Sequence, residues 1–354
     1  MTSPVPERVN YEGLPGTVVF GPGAVAELPD LLTGLKAERV TIIDGLPHRD
    51  LADRLAQSLG NRHALTIRVE RQHVPADLAK SSNAVAVDAG TDWLVSLGGG
   101  SSLGVAKAIA HESGLSIAAI PTTYAGSEMT PIWGITSDGA KAVGRDLRVL
   151  PRLVVYDPEL TVSLSPTASG ASGMNAVAHC VEAYWTEQRN PVTDAVSSEA
   201  LTLLATGLPR VAAAPADISA RSDVLKGAWL AGAALAVAGT AIHHKICHVL
   251  GGSFDLPHAE VHASVLPWVV DHFRDQVPWA LRRIAKALGT VDAVDGLQDL
   301  ARKACAVTGL ADLGLGEKDA DRAADLVAAG RPSVPAPVSR DEIRTILARA
   351  MAAG

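Results

Sequence analysis

A chain of 354 residues, 47% of them hydrophobic and 19% charged, has enough apolar material for two cores and too little charge for a disordered one. Its formal net charge of -7 argues against a nucleic-acid surface, which needs clustered Lys and Arg to neutralise phosphates. The longest apolar run, Trp229 to Gly239, covers 11 residues, against about 20 for a bilayer-spanning helix. Three cysteines, Cys180, Cys247 and Cys305, build no disulfide framework, and the first residues show no basic start followed by an apolar run. The expectation is a cytoplasmic protein with no nucleic-acid or membrane partner.

Along the chain, β-branched runs at 17–20, 40–44, 65–69, 93–97, 116–120 and 153–156 predict strands. Helical patterns at 23–35, 48–59, 76–89 and 102–111 separate them. Such alternation predicts a parallel sheet covered on both faces, hence an α/β dinucleotide-binding domain over residues 1–160. After Asp157-Pro158 only helical patterns remain, at 167–186, 192–211, 218–238, 240–250, 258–288, 293–308, 317–329 and 340–352. They predict an all-α domain over 161–354, punctuated at Gly251-Gly252 and Gly330-Arg331-Pro332. Ser339 and Glu342 have the spacing of a capping box for the last helix.

Two loops of the first domain carry ligand-binding chemistry. Gly98-Gly99-Gly100-Ser101-Ser102 follows a predicted strand and opens a helix that runs on through Lys107. Glycines let the backbone approach a diphosphate, and the first N–H groups of the helix supply donors and partial positive charge. The same glycines also suit a strand-to-helix turn with no ligand. A second loop, Pro121 to Glu128, places Thr122, Thr123 and Ser127 just beyond the next strand, where open α/β sheets bind ligands. Asp44, ending the run Val40 to Ile43, is a candidate to accept hydrogen bonds from an adenosine ribose and to repel a 2′-phosphate, or else a turn aspartate. It precedes the glycine loop, whereas the common Rossmann fingerprint has its acidic residue about 20 positions after.

Five of the eleven histidines fall between Ala241 and Pro267: His243, His244, His248, His258 and His262. His244 and His248 are spaced i, i+4, as are Asn175 and His179 upstream, so each pair shares one face of its helix. A lone histidine is ordinarily a satisfied core or surface residue; a group this dense predicts a site. A divalent metal there would want a carboxylate, and Asn175 offers only a neutral amide.

These motifs resemble the iron-containing (group III) alcohol dehydrogenase family, with dehydroquinate synthase-like architecture, and within it the maleylacetate reductases. The resemblance rests on Phe20 to Ala24, Gly98 to Lys107, Pro121 to Pro131, Gly173 to His179, and His244 through Gly252 to His258. It implies an N-terminal α/β domain binding NAD(P)H and a C-terminal helical domain. The family's four metal ligands fall on Asn175, His179, His244 and His258, and its further active-site histidine on His248. Asn175 stands for the family's aspartate, and Gly104 for the aspartate usual in metal-dependent relatives.

What the resemblance implies is NADH-driven reduction of maleylacetate to 3-oxoadipate in aromatic-compound breakdown by a homodimer, with NADPH as a second cofactor and no metal. His244, His248, His258, His179 and Lys245 are the expected catalytic cations and proton donors. Asn175, Arg145 and Tyr124 are expected at the dicarboxylate, and Lys141 beside the cofactor. The alternatives are a metal-dependent alcohol or glycerol dehydrogenase, and a nucleotide-binding protein that keeps the fold without catalysis.

Overall fold

The computed structural model describes residues 11–46, 50–70, 74–137, 140–332 and 334–353. Contacts divide the chain into a unit Leu14–Thr161 and one made of Val162–Gly354 together with the described residues before Leu14. Among the described residues no single helix is long and apolar enough to cross a membrane.

The first unit holds six parallel strands: β1 (Thr17–Phe20), β2 (Val40–Asp44), β3 (His63–Arg68), β4 (Trp93–Gly98), β5 (Ser116–Pro121) and, last in the chain, Leu153–Tyr156. With two intervening strands, β6 (Ile132–Ser137) and β7 (Ala140–Arg145), that last strand is β8, and the sheet order is β1-β8-β5-β4-β2-β3. Strands β2, β4, β5 and β8, buried nearly throughout, read as largely apolar runs, while the outer strands β1 and β3 are only partly buried and are marked by their β-branched residues. The helices are α1 (Leu28–Gly34), α2 (Asp50–Leu59), α3 (Ala76–Asp88) and α4 (Gly100–Ser113). Residue 48, where the second helical pattern begins, lies outside the described residues.

Strand order reverses between β2 and β4, whose carboxyl ends lie side by side with Asp44 opposite Leu97. That reversal point is where open α/β sheets bind ligands. The antiparallel pair β6–β7 is not among the predicted elements. The Asp138-Gly139 dipeptide between them, a hairpin signal in the sequence, lies outside the described residues.

The second unit is helical: α5 (Pro166–Ala183), α6 (Pro191–Ala213), α7 (Ile218–Ala238), α8 (Ile242–Phe254), α9 (His258–His272), α10 (Pro278–Leu288), α11 (Ala293–Lys303), α12 (Glu317–Ala329) and α13 (Arg340–Met351). Two expectations are corrected. Gly251-Gly252 does not break α8, which runs on to Phe254 and stops where Asp255 turns left-handed at φ 55°. The pattern at 258–288 is two helices, because Pro278 cannot donate a backbone N–H and starts a new one. The capping box forms as predicted, Ser339 N donating to Glu342 Oε2 at 2.8 Å and Glu342 N to Ser339 Oγ at 3.3 Å.

Candidate active site

In the α/β unit the glycine loop forms the first turn of α4, with Gly99 as its N-cap. The N–H groups of Gly100, Ser101 and Ser102 therefore have no acceptor within the helix. Gly98 adopts φ 135°, and a Cβ there would lie 2.8 Å from Ser102 Oγ, so only glycine lets β4 turn this sharply into α4. Around Gly100 a Cβ would meet nothing within 4 Å, leaving open space over the helix start. A pocket is lined here by Gly98, Gly99, Gly100, Thr123, Ala125 and Ser127. Such a cradle of backbone donors fits a diphosphate.

Other predicted cofactor residues divide. Ser102 is buried and donates to Gly99 O at 3.0 Å, so it braces the turn. Thr122 is buried too, its N–H donating to Gly98 O at 3.0 Å, which ties the second loop to the first. Asp44 is 2% exposed; its carboxylate accepts from Leu46 N at 2.9 Å and is ion-paired with Arg68. Arg68 also reaches Asp53 at 3.1 Å. Arg68 thus masks the charge expected to repel a 2′-phosphate. Tyr124, expected at the substrate, is fully buried with its hydroxyl donating to Thr161 Oγ1 at 3.3 Å, a packing position. Arg145 and Lys141 lie on β7, Arg145 exposed and Lys141 opposite Thr136.

The sequence reading missed a buried clamp behind this pocket. Lys107, 1% exposed, donates to Ser127 O (2.7 Å), Thr130 O (2.8 Å), Ile132 O (2.8 Å), Thr130 Oγ1 (3.1 Å) and Ser127 Oγ (3.3 Å). It fixes the Ser127–Ile132 segment to the glycine-loop helix. Burial pulls the ammonium down to about 7, opposed by the Glu128 carboxylate. Burial raises Glu128, which accepts from the Tyr156 hydroxyl at 2.7 Å. At Gly104 a Cβ would lie 2.4 Å from Val74 Cγ2, so Val74 fills the space an aspartate side chain would need.

In the helical unit, α5 carries Asn175, His179 and Glu182, all buried. α8 brings His243, His244 and His248, and α9 brings His258 and His262. His179 stacks on His244 with centroids 4.9 Å apart, and His248 on His258 at 5.7 Å. His248 and His258 are exposed, while His243, His244 and His262 are buried. Burial, reinforced by charge on His244, holds His179, His243 and His262 well below the ordinary histidine value, as neutral rings.

Glu182 organises the group. Fully buried, it accepts from Ala241 N at 3.0 Å, His243 N at 2.7 Å and His244 Nδ1 at 2.5 Å, capping the start of α8 and fixing the His244 ring. Nε2 of His244 is then the edge it presents, and neither it nor Asn175 Oδ1 nor His179 Nδ1 has a hydrogen-bond partner among the described residues. Unpaired buried polar atoms cost free energy unless something completes them, so they mark the face a ligand meets. Lys245 does not join this face; its side chain lies against Gly330 at the end of α12.

These residues make a poorer site for a divalent ion than a set that includes a carboxylate. The positions implied as ligands carry an amide and three imidazoles, and the nearby carboxylate, Glu182, is committed to three donors. Among the described residues, the group of potential ligands that lies close together is His243, His244 and His262. Within it His243 Nε2 and His262 Nδ1 are bonded to each other at 2.9 Å. Two nitrogens on one tetrahedral ion, each about 2.0–2.1 Å from it, would stand about 3.3 Å apart.

This fold and these loops match known proteins over nearly the whole chain. Residues 15–158 match the iron-containing alcohol dehydrogenase model and residues 169–351 the C-terminal model of the Fe-containing alcohol dehydrogenase family. The chain belongs to that family of oxidoreductases. It is 43% identical to a maleylacetate reductase of Burkholderia cepacia, covering 94% of this chain and 95% of that one. It is 41% identical to one of Sphingobium indicum, covering 96% and 97%. The crystal structure of maleylacetate reductase from Agrobacterium tumefaciens superposes with a TM-score of 0.94 at 39% identity, covering 98% of this chain and 99% of that one.

Proposed function

We propose that this protein reduces maleylacetate to 3-oxoadipate with NADH and without a metal. The observation that carries the reading is a histidine cluster whose neighbouring carboxylate, Glu182, is already committed to three donors, in a chain about 40% identical to maleylacetate reductases over nearly its full length. The cofactor, when bound, supplies a hydride to one alkene carbon of the conjugated enone.

The rest falls to the protein's side chains. Hydride addition pushes charge through the second alkene carbon onto the ketone oxygen, and the resulting enolate needs donors aimed at it. His244, oriented by Glu182, presents Nε2 to that face, and Asn175 on the same face has a side-chain NH2 able to donate to a substrate carboxylate and an Oδ1 open to a donor. His248 and His258, open to water, are placed to hold a proton for the second alkene carbon and to recover it from solvent. Lys107 acts at a distance, keeping the Ser127 loop in register with the glycine turn that receives the diphosphate.

The same reading carries an NADH preference with NADPH accepted, a homodimeric state and a cytoplasmic setting, as the resemblance implies. It is tested by following NADH oxidation with freshly generated maleylacetate and identifying 3-oxoadipate by mass spectrometry. Simple ketones, and alcohols with NAD+, serve as competitors. Turnover of maleylacetate far above the rest is expected. Faster alcohol oxidation would favour a metal-dependent dehydrogenase, and tight NADH binding without turnover a non-catalytic nucleotide-binding protein.

A further inference from the structure

His243 and His262 are fully buried and belong neither to the implied ligand positions nor to the proton-donating set above. They form an ordered row with His258. His243 Nε2 lies 2.9 Å from His262 Nδ1, and His262 Nε2 lies 3.4 Å from His258 Nε2. The row is anchored at its inner end, where Glu182 holds the His243 backbone N–H at 2.7 Å and the Cys247 thiol lies 3.6 Å from His243 Nε2.

A neutral imidazole has one N–H and one lone pair, so three rings in a row share protons in one of two directions. If His243 donates to His262 Nδ1, His262 carries its proton on Nε2 and places it in the lone pair of His258 Nε2. If the row runs the other way, His258 Nε2 carries the proton and donates to His262. In both arrangements the nitrogen of His258 that faces its neighbours has no lone pair left for a metal. Replacement of a carboxylate by Asn175 is therefore only half of what keeps a divalent ion out.

We propose that His262, braced by His243, is the second metal-excluding residue of this site, and that by bonding His258 it does the positioning that a bound ion would otherwise do. The proposal rests on the metal-independent reading given above and deepens it. Outer partners of a metal site commonly change its affinity by about 10–100-fold. A partner that occupies a ligand's lone pair acts in the opposing sense.

The test uses the full-length protein as wild type, N175D, H262L, N175D/H262L and H262Q, each checked for fold by NADH binding. Leucine keeps most of the volume and removes both nitrogens; glutamine keeps a group able to bond His258. If H262L fails to bind NADH, H262A repeats the series. Zn2+ affinity is measured by competition with a chromophoric chelator, and maleylacetate turnover is measured on the same samples with chelator present. Expected are weak Zn2+ binding by wild type and H262Q, a modest gain in N175D, and in N175D/H262L about 100-fold tighter binding than in N175D. H262L should lose about tenfold in kcat with the KM for NADH unchanged, and H262Q should retain most of it. Stoichiometric Zn2+ in wild type that H262L abolishes would make His262 a ligand and overturn the proposal, as would a double variant binding no tighter than N175D. If wild type loses turnover in chelator, the metal-independent reading falls instead, whatever the Zn2+ series shows.

Discussion

The two units bury ionisable groups in opposite ways. Around Lys107 every donor of the ammonium finds an oxygen, five of them between 2.7 and 3.3 Å, and the network closes on itself. Around His244 the network stays open, with Asn175 Oδ1, His179 Nδ1, His243 Nδ1 and His244 Nε2 lacking hydrogen-bond partners among the described residues. A closed buried network fixes the shape of a loop, whereas an open one marks where a ligand completes the bonding. Lys107 is accordingly placed to position a loop, and the open histidine face is the one proposed above to meet the substrate.

That contrast can be broken most severely at Glu182, which accepts three hydrogen bonds at the start of α8. In E182A, two backbone N–H groups and the His244 Nδ1 proton lose their acceptor. A loss of about 3–5 kcal/mol in urea unfolding and near-complete loss of turnover are expected. A variant with normal activity would show that the ring needs no such holder.

Acid should expose the histidine site next. His179, His243 and His262 have folded values below the unfolded one, so under acid the unfolded state binds protons that the folded state refuses. Stability is unaffected above the ordinary value of about 6.5 and falls as pH drops below it, by at most about 4 kcal/mol per pH unit for three such groups. Urea midpoints measured at successive pH values check this; a flat profile from neutrality to pH 5 would contradict it.

On the closed side, K107M strands three carbonyls that the ammonium now bonds. Cofactor binding should weaken by about 2 kcal/mol, roughly thirtyfold, with the KM for maleylacetate at saturating NADH unchanged. Titration of NADH fluorescence reads the first quantity and steady-state kinetics the second. A loss confined to kcat would place Lys107 in the chemistry instead. The smallest effect is expected at Arg68, whose pairing with Asp44 is partly open to water. In R68A the unmasked carboxylate should raise the preference for NADH over NADPH by about fivefold or less, measured as the ratio of kcat/KM values.

The central parallel strands were legible because burial of β2, β4, β5 and β8 writes itself as largely apolar runs. The β6–β7 hairpin was not, since Ile132–Ser137 and Ala140–Arg145 are each interrupted by a glycine and lack a continuous apolar run, leaving the Asp138-Gly139 dipeptide as the only clear signal. At the site, the i, i+4 spacings identified which faces of α5 and α8 carry chemistry. They could not reveal Glu182, whose partners lie about sixty positions on, or the pairing of Asp44 with Arg68, which depends on the register of β2 against β3. Lys245 shows the converse error. It adjoins His244 in sequence, but one residue of helix turns it about 100° to another face, against Gly330.

The most direct measurement is the rate of NADH-driven maleylacetate reduction before and after exhaustive chelation, with iron and zinc quantified in the same preparation. An unchanged kcat in protein holding far less than one ion per chain is predicted, because Glu182, His244 and the His243–His262–His258 row do the orienting. A rate that vanishes with the metal and returns on adding iron or zinc would contradict it.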